Sequence, residues 1–286
     1  MKNSSRKKWL YVPYKLFPKT TGKILYFKNF HKWLKPENLT TFNDKLRWQS
    51  LYDAPRNPLM IKCSDKYLVR EYVSAKGYGK YLNELFGVWD SPEEIDWNLL
   101  PQEFVLKCNH GCGYNIICND KSQIDEAEVK KELKRWLKDD YGVYNIEAHY
   151  SEISRKIICE KYLADAGGGV PPDYKVYCFS GEPKLILVVT DRDVGAKLSV
   201  VDTSFTPMFD IIRDDLHILP PPPKCMQELL RCATDLSKDF QFVRVDLYAV
   251  NDLPVFGEMT FTPAAGHGKY YTENGNMTLG KMYKID

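Results

Sequence analysis

Apolar side chains recur with two periods along this chain, and the switches between them outline its elements. In SDKYLVREYVSAKG (64–77), Tyr67, Leu68, Tyr72 and Val73 fall at the spacing of one helix face. Ser64 or Asp65 stands where a side-chain cap belongs, and Gly77 and Gly79 end the run. FVLKCNHGCGYNIIC (104–118) reads instead as strand, glycine turn, strand. QIDEAEVKKELKRWLKDD, rich in Glu, Lys and Leu, predicts a strong helix. KIICEKYL predicts a β-branched strand and AGGGVPP a glycine turn. DYKVYCFSGEPKLILVVTD predicts two strands joined at Ser180, Gly181, Glu182 and Pro183, and KLSVVD predicts another. The prolines at 220–223 stiffen the approach to a helix in CMQELLRCATDLSKDF. FVRVDLYAVNDLPVFGEMTF predicts a closing hairpin that turns at Val250, Asn251 and Asp252. Residues 1–55 are mixed and aromatic, with turn signals at Pro13, Pro18, Pro36 and Asn43. A helical front, a strand–turn–strand–helix unit and a mainly antiparallel sheet with one helix make the fold class α+β.

Composition narrows the class. At 286 residues and 44% hydrophobic content, the chain can bury one large core or two closely packed ones. A net charge of +2 is too mild to argue for nucleic acid. No window approaches 18 consecutive apolar residues, so no transmembrane segment is expected. MKNSSRKKWLYVPYKLFP lacks the apolar stretch of a signal peptide, and the eight cysteines are scattered among lysine-rich segments. Reduced thiols and a cytoplasmic location are expected. Basic residues concentrate early, at Lys2, Arg6, Lys7, Lys8, Lys15, Lys19, Lys23, Lys28, Lys32 and Lys35. The ordinary reading is a solubilising or partly disordered N-terminus. The sharper one is contact with an anionic glycan or a membrane surface.

Candidate chemistry sits in two places. On the closing hairpin, Val243, Val245 and Leu247 share one strand face, and Arg244, Asp246 and Tyr248 share the other. Phe256, Glu258 and Thr260 are expected to share a face on the second arm. Asp246 and Glu258 then meet on adjacent strands, where two carboxylates repel unless a cation or proton lies between them. Mg²⁺ favours such a pair, completed by phosphate oxygens and water. The plainer alternative is two solvated carboxylates. In residues 104–118, Cys108, His110, Cys112 and Cys118 suggest a metal cluster, but the spacing is not that of a structural zinc site. The other reading puts Lys107 at a strand end, with glycine-turn N–H groups aimed at a phosphate. Neither a Walker A loop nor a dinucleotide fingerprint is present. IICEKYLAD places Glu160 at a strand end beside a loop.

FVLK with its glycine loop, EKYL, DYKVYCFSGEP, RVDLY and GEMTF, in that order, resemble the ATP-grasp superfamily. DKYLVREYV (65–73), GVWDSPEEIDWNLLPQEFVLKCNHGCG (87–113), DYKVYCFSGEP (173–183) and GEMTF (257–261) resemble the TupA-like ATP-grasp family, associated with teichuronopeptide and other cell-surface polysaccharide synthesis. The match covers about residues 45–283. The resemblance implies two α+β subdomains clasping ATP. Residues 104–165 would carry the glycine loop and residues 166–286 the metal site. A basic aromatic extension (1–45) and a helical region (46–103) would precede them.

By that resemblance Lys107 would meet the α- and β-phosphates. Asn109, His110, Gly111, Cys112 and Gly113 would close over them as a flexible lid. Glu160, with the backbone of Lys161 and Leu163, would hold adenine, Asp173 would sit at the ribose, and Lys175 nearer the phosphates. Asp246 and Glu258 would bind two Mg²⁺ ions. Thr260 stands where the superfamily usually has an asparagine ligand, which weakens the second metal position. Arg70, Lys175 and Arg192 would orient the acid substrate or the γ-phosphate, although Arg70 and the Asp191–Arg192 pair also fit ordinary surface ion pairs. His110 and His267 are candidate general bases, against the commoner structural role of a lone histidine.

The activity implied is ATP-dependent carboxylate–amine ligation through an acyl phosphate, with ATP, a small-molecule or glycan carboxylate and an amine as partners. Homodimers are common among such ligases. Three other readings stay open: a sugar kinase on the same ATP site, a glycosyltransferase-like enzyme, and a non-catalytic glycan-binding protein.

Overall fold

The computed structural model describes residues 8–165, 168–192, 195–215 and 219–285. Lys2, Arg6 and Lys7 of the basic N-terminus, and Ala166 and Gly167 of the glycine run, lie outside the described residues. The chain opens with α1 (Tyr11–Leu16), α2 (Pro18–Phe30) and α3 (Phe42–Trp48). Over the described residues from position 8 on, helices stand where a partly disordered stretch was expected. Pro18 starts α2, where its missing N–H is no loss. Thr41 and Asp44 form a reciprocal capping box for α3. Leu10, Tyr14, Leu25, Tyr26 and Leu34 pack against Leu51, Val143 and Ile146. Each such side chain, once fully buried, contributes about 1.5–3 kcal/mol. The segment was misread because its prolines punctuate short helices rather than loops.

Next come α4 (Pro58–Ser64), capped by Asn57, and α5 (Val69–Ala75). The predicted helix at 64–77 is real but starts later. Asp65 Oδ1 accepts the N–H groups of Tyr67 and Leu68 in a turn that leads into α5.

A four-stranded antiparallel sheet follows: β1 (Leu85–Trp89), β2 (Phe104–Cys108), β3 (Asn115–Cys118) and β4 (Ile157–Lys161), in the order β1-β4-β2-β3. β1 lies in the stretch read as helical, and its short, half-buried LFGVW carried no alternation to betray it. One sheet face, with Phe104, Leu106, Cys108, Ile157 and Cys159, is covered by α6 (Glu126–Lys138) through Val129, Leu133 and Trp136. Asp125 caps α6, with acidic residues in its first turn and basic ones in its last. A short α7 (Tyr141–Asn145) comes after it.

The second sheet is antiparallel throughout, ordered β7-β6-β5-β8-β9. It comprises β5 (Asp173–Phe179), β6 (Glu182–Thr190), β7 (Lys197–Val201), β8 (Phe242–Val250) and β9 (Leu253–Thr260), with α8 (Met226–Ser237) and a closing α9 (Glu273–Met282). Asn251 and Asp252 both take positive φ, as a two-residue hairpin turn requires. Tyr174, Val176, Val243, Val245 and Leu247 pack toward α8. On the opposite face, Tyr177, Phe179 and Phe242 pack against Phe42 and Leu46 of α3 and Tyr283 beyond α9. That second core covers only part of the face. The remainder carries charged side chains.

One strand reading needs correction. Phe256 does not share a face with Glu258. The β8–β9 register runs Asp246↔Glu258 and then Leu247↔Phe256, which leaves Gly257 as an extra residue. The bulge sends Phe256 into the core with Leu247 while Glu258 stays beside Asp246.

Candidate active site

Strand register builds the site. Across β5, β8 and β9 three rungs lie side by side: Asp173–Tyr248, Lys175–Asp246–Glu258 and Tyr177–Arg244–Thr260. Opposite them, the free face of the small sheet presents Val105, Lys107, Asn115, Ile117 and Glu160. Between the sheets is a cavity of about 420 Å³, with Lys161, Tyr162 and Leu163 in its wall. Among the expected site residues, it brings together Lys107, Gly113, Glu160, Lys161, Leu163, Asp173, Lys175, Arg192, Asp246 and Glu258.

The centre is a charge network. Lys175 Nζ lies 2.5 Å from Asp246 Oδ2 and 2.7 Å from Asp173 Oδ2. Arg244 grips Asp246 with both ends of its fork, at 2.6 and 2.7 Å, and donates to Thr260 Oγ1 at 3.1 Å. Lys66 reaches Glu258 Oε2 at 3.3 Å and donates to the Gly111 carbonyl at 2.9 Å, joining the glycine loop to β9. Arg192 contacts Asp173 at 3.3 Å and donates to the Tyr248 hydroxyl at 3.1 Å. Partial burial opposes the charge on Glu258, yet Lys66, Lys175 and Arg244 hold its carboxyl at about 2. Burial also works against Lys175, but Asp246 and Asp173 raise its pKa above the usual lysine value. Burial raises Asp173 above its usual value, against the pull of Lys175. Three carboxylates face four cations here, so the site is poised to take in an anion together with metal cations.

Two observations test whether nucleotide and Mg²⁺ suit these residues. Asp173 Oδ1 is buried without a hydrogen-bond partner among the described residues, an unsatisfied acceptor on a residue of the cavity wall. Asp246 and Glu258 stand in one rung, the carboxylate pair a hard cation prefers, and an ionised carboxylate keeps lone pairs for a metal beside its protein donors. Both groups fit.

Some expected residues lie elsewhere. Arg70 is not on the cavity. It lies 3.3 Å from Glu160 Oε1 and donates to the Asn83 carbonyl, so in this structure it braces Glu160. His110 is buried, with Nε2 3.2 Å from the Trp136 carbonyl, and burial lowers its pKa to about 4. It is a structural histidine and neither a base nor a phosphate contact. The mobile loop expected over 109–113 is pinned for three of its residues. Asn109 bonds Asp65, the Ser154 carbonyl and the Lys156 N–H, His110 is enclosed, and Gly111 lies against the Tyr141 ring. Cys112 and Gly113 alone of the five reach the cavity. Cys108 and Cys118 are core residues of the small sheet. Among the described residues, no three His, Cys, Asp or Glu side chains cluster as a metal site. Lys107 and Glu160, read as phosphate and adenine residues, pair with each other at 2.6 Å.

Thr260 and His267 line a second, wider cavity of about 1230 Å³ that shares Cys112, Gly113, Tyr114 and Glu258 with the first. Its walls include Trp136, Tyr141, Tyr150, Arg244 and Glu147. Glu147 is buried and accepts from Thr262 Oγ1 at 2.5 Å. Burial lifts its carboxyl to about 7. Lys66, Arg244 and Glu147 were not singled out for the site from sequence. Lys66 and Arg244 stand beside motif residues and were visible as neighbours. Glu147 sits in an irregular segment with no pattern to mark it.

These buried groups predict a pH signature. Glu147 is raised, so its stabilising contribution is present below the unfolded value near 4.5 and is lost as pH rises through about 7. His149, wholly buried, is lowered to about 3 by burial, and His110 to about 4. Their contribution is present above about 6.5 and is lost as pH falls through 4 and 3. The melting temperature of wild type minus that of Glu147→Gln should therefore fall as pH rises from 5 to 7.5. A flat difference would show that Glu147 titrates normally.

Comparison with known families now bears on this geometry. The family model described as TupA-like ATPgrasp matches residues 44–284. The chain belongs to the TupA-like ATP-grasp family, and its α+β architecture is the ATP-grasp fold. Residues 1–43 precede the match. Among solved structures it is similar to the D-alanine–D-alanine ligase of Bacillus anthracis complexed with ATP, at 14% identity and a TM-score of 0.42, over 71% of this chain and 56% of that one. It is similar to the D-alanine–D-alanine ligase of Coxiella burnetii, at 14% identity and a TM-score of 0.46, over 77% and 56%. It is also similar to a D-cycloserine synthetase, at 16% identity and a TM-score of 0.45, over 80% and 72%. The chain thus spans little more than half the length of the two D-alanine ligases. No curated protein matches it.

Proposed function

We propose that this protein is an ATP-dependent carboxylate–amine ligase of the cytoplasm that forms an amide through an acyl phosphate. The observation that carries the reading is the Lys175–Asp246–Glu258 rung facing Lys107 and Glu160 across one cavity. Glu160, with the backbone of Lys161 and Leu163, holds the adenine end, and Asp173 takes a ribose hydroxyl. Lys107, Lys175 and Arg192 carry the phosphates. Asp246 and Glu258 hold Mg²⁺, with Thr260 beside them. Bound Mg²⁺ supplies neutralisation of the triphosphate charge.

Phosphoryl transfer asks a protein mainly for positioning and electrostatics. Arg244 lines the wider cavity beside the shared Glu258 and is the cation that receives the substrate carboxylate. An oxygen of that carboxylate attacks the γ-phosphorus, ADP leaves, and an acyl phosphate remains. Cys112, Gly113 and Tyr114 screen it from water. The amine then attacks the acyl carbon from the wider cavity and phosphate leaves. There Glu147, held at about 7, takes the proton that the incoming ammonium must lose before it attacks. A wide, tyrosine-lined acceptor cavity agrees with a uronic or amino acid unit of a surface polysaccharide as one substrate.

The test is ADP release from Mg-ATP over a matrix of acids and amines, with hydroxylamine as a trap. The expected result is release that needs an acid, with a hydroxamate in the trap and an amide with the right amine. A stable phosphorylated sugar formed without any amine would make the protein a kinase instead.

A further inference from the structure

Residues 1–36 hold ten Lys and Arg and no Asp or Glu, a charge of +10. The remaining 250 residues therefore carry −8 of the chain's net +2. The mild overall charge hides a strong asymmetry. The same segment breaks the usual rule for apolar side chains. Among the described residues, twelve large apolar side chains are exposed. Seven lie between positions 9 and 33: Trp9, Val12, Leu16, Phe17, Ile24, Phe27 and Trp33. Each is between 38% and 65% exposed.

Helical spacing explains the arrangement. On α1, Tyr14 points to the core while Val12 and Leu16 point away. On α2, Thr21, Leu25 and Tyr26 face the body, and Ile24 and Phe27 face outward. Phe27 stacks on Trp33 at 4.6 Å between ring centroids. Lysines border these faces. Lys32 is held by Asp44 and Lys19 lies over the Tyr52 ring, whereas the side chains of Lys28 and Lys35 stand exposed. One side of the segment is thus packed on the protein. The other is apolar, aromatic and ringed by positive charge. The family match does not need it, since that match starts at residue 44.

We propose that the outer face of residues 9–35 docks on an anionic phospholipid surface. Trp, Phe and Leu flanked by lysine is the composition of an interfacial segment. α1 and α2, at 6 and 13 residues, lie on a bilayer rather than cross it. A protein partner is disfavoured because lysine is depleted from protein interfaces. Nucleic acid is disfavoured because seven exposed apolar side chains add nothing to phosphate contact. Each lysine near an anionic surface is worth about a fivefold change in binding.

The test uses the full chain with sedimenting vesicles, either pure phosphatidylcholine or seven parts phosphatidylcholine to three of phosphatidylglycerol, at 0.15 M salt. Wild type should bind the anionic vesicles at least tenfold better than the neutral ones. Leu16→Glu/Phe17→Glu/Trp33→Glu should lose that binding. Lys28→Glu/Lys35→Glu should weaken it by tenfold or more. Both variants change exposed positions, so circular dichroism should match wild type. Equal binding to both vesicles, no binding, or full binding by the triple variant would overturn the proposal. So would a concentration-dependent dimer without vesicle binding that the triple variant dissolves, since the face would then be a contact between copies of this chain.

Discussion

Glu258→Gln should cut ADP release about 10³-fold, the loss of roughly 4 kcal/mol of charge stabilisation that a metal provides to phosphoryl transfer. The change keeps shape and removes one charge. In the unliganded protein it leaves Lys175 paired with Asp246 and Asp173 and Arg244 with Asp246, and removes the charge that faces Lys66. Folding should survive, since the Glu258 side chain is one-third exposed and the Arg244–Asp246 fork stays intact. The decisive readout is ligand-linked stability. A non-hydrolysable ATP analogue at 100 times its dissociation constant stabilises a protein by about 2.7 kcal/mol. In wild type that shift should require Mg²⁺. In Glu258→Gln the Mg²⁺ requirement should vanish, leaving a small, metal-independent shift from Lys107, Lys175 and Arg192. An unchanged Mg²⁺-dependent shift in the variant would place the metal elsewhere and undo the roles given to β8 and β9.

The rung behind this prediction was half legible in the chain. Alternation on RVDLY put Asp246 opposite the core-facing Val245, and the hairpin turn at Asn251 and Asp252 was readable from its residue types. Together these brought Asp246 and Glu258 to adjacent strands. Lys175 joined them only through the β5–β8 pairing, which spans about seventy residues that no local period encodes. The charges that neutralise the pair were harder still. Arg244 reads as one more alternating polar position, and Lys66 comes from a turn nearly two hundred residues away. Residues 109–113 failed for a related reason. Glycines signal freedom in a sequence, whereas Asn109 is tied by Asp65 and by the backbone on either side of Arg155, and His110 is enclosed beside Trp136. The pairing of Arg70 with Glu160 was hidden because a cation near a motif looks the same in sequence whichever side of Glu160 it occupies. The N-terminal helices were hidden because each presents apolar residues on two sides, one to the protein and one outward, which erases the single-face pattern that reveals a surface helix.

Gly257→Ala should lower the unfolding free energy by about 1–3 kcal/mol and abolish most of the Mg²⁺-dependent shift with the ATP analogue. The reason lies in the bulge. A methyl group built at Gly257 comes within 2.9 Å of the Asp246 carbonyl oxygen and 3.0 Å of the Tyr248 ring. The backbone contact cannot be relieved by a rotamer change, so β9 must move away from β8 at the rung that pairs Asp246 with Glu258. Metal ligands on adjacent strands tolerate little of this, since Mg²⁺ demands near-ideal octahedral geometry. Gly77→Ala is the control. Gly77 has φ +88 with nothing within 4 Å of the added carbon, so the substitution strains the backbone by about 1–2 kcal/mol in the turn after α5, outside the β8–β9 hairpin. Both variants should melt earlier by chemical denaturation, but only Gly257→Ala should lose the nucleotide shift. If the two lose it equally, the effect is general destabilisation and the bulge has no part in aiming Glu258. If Gly257→Ala keeps it in full, the Asp246–Glu258 pairing is not what holds the metal.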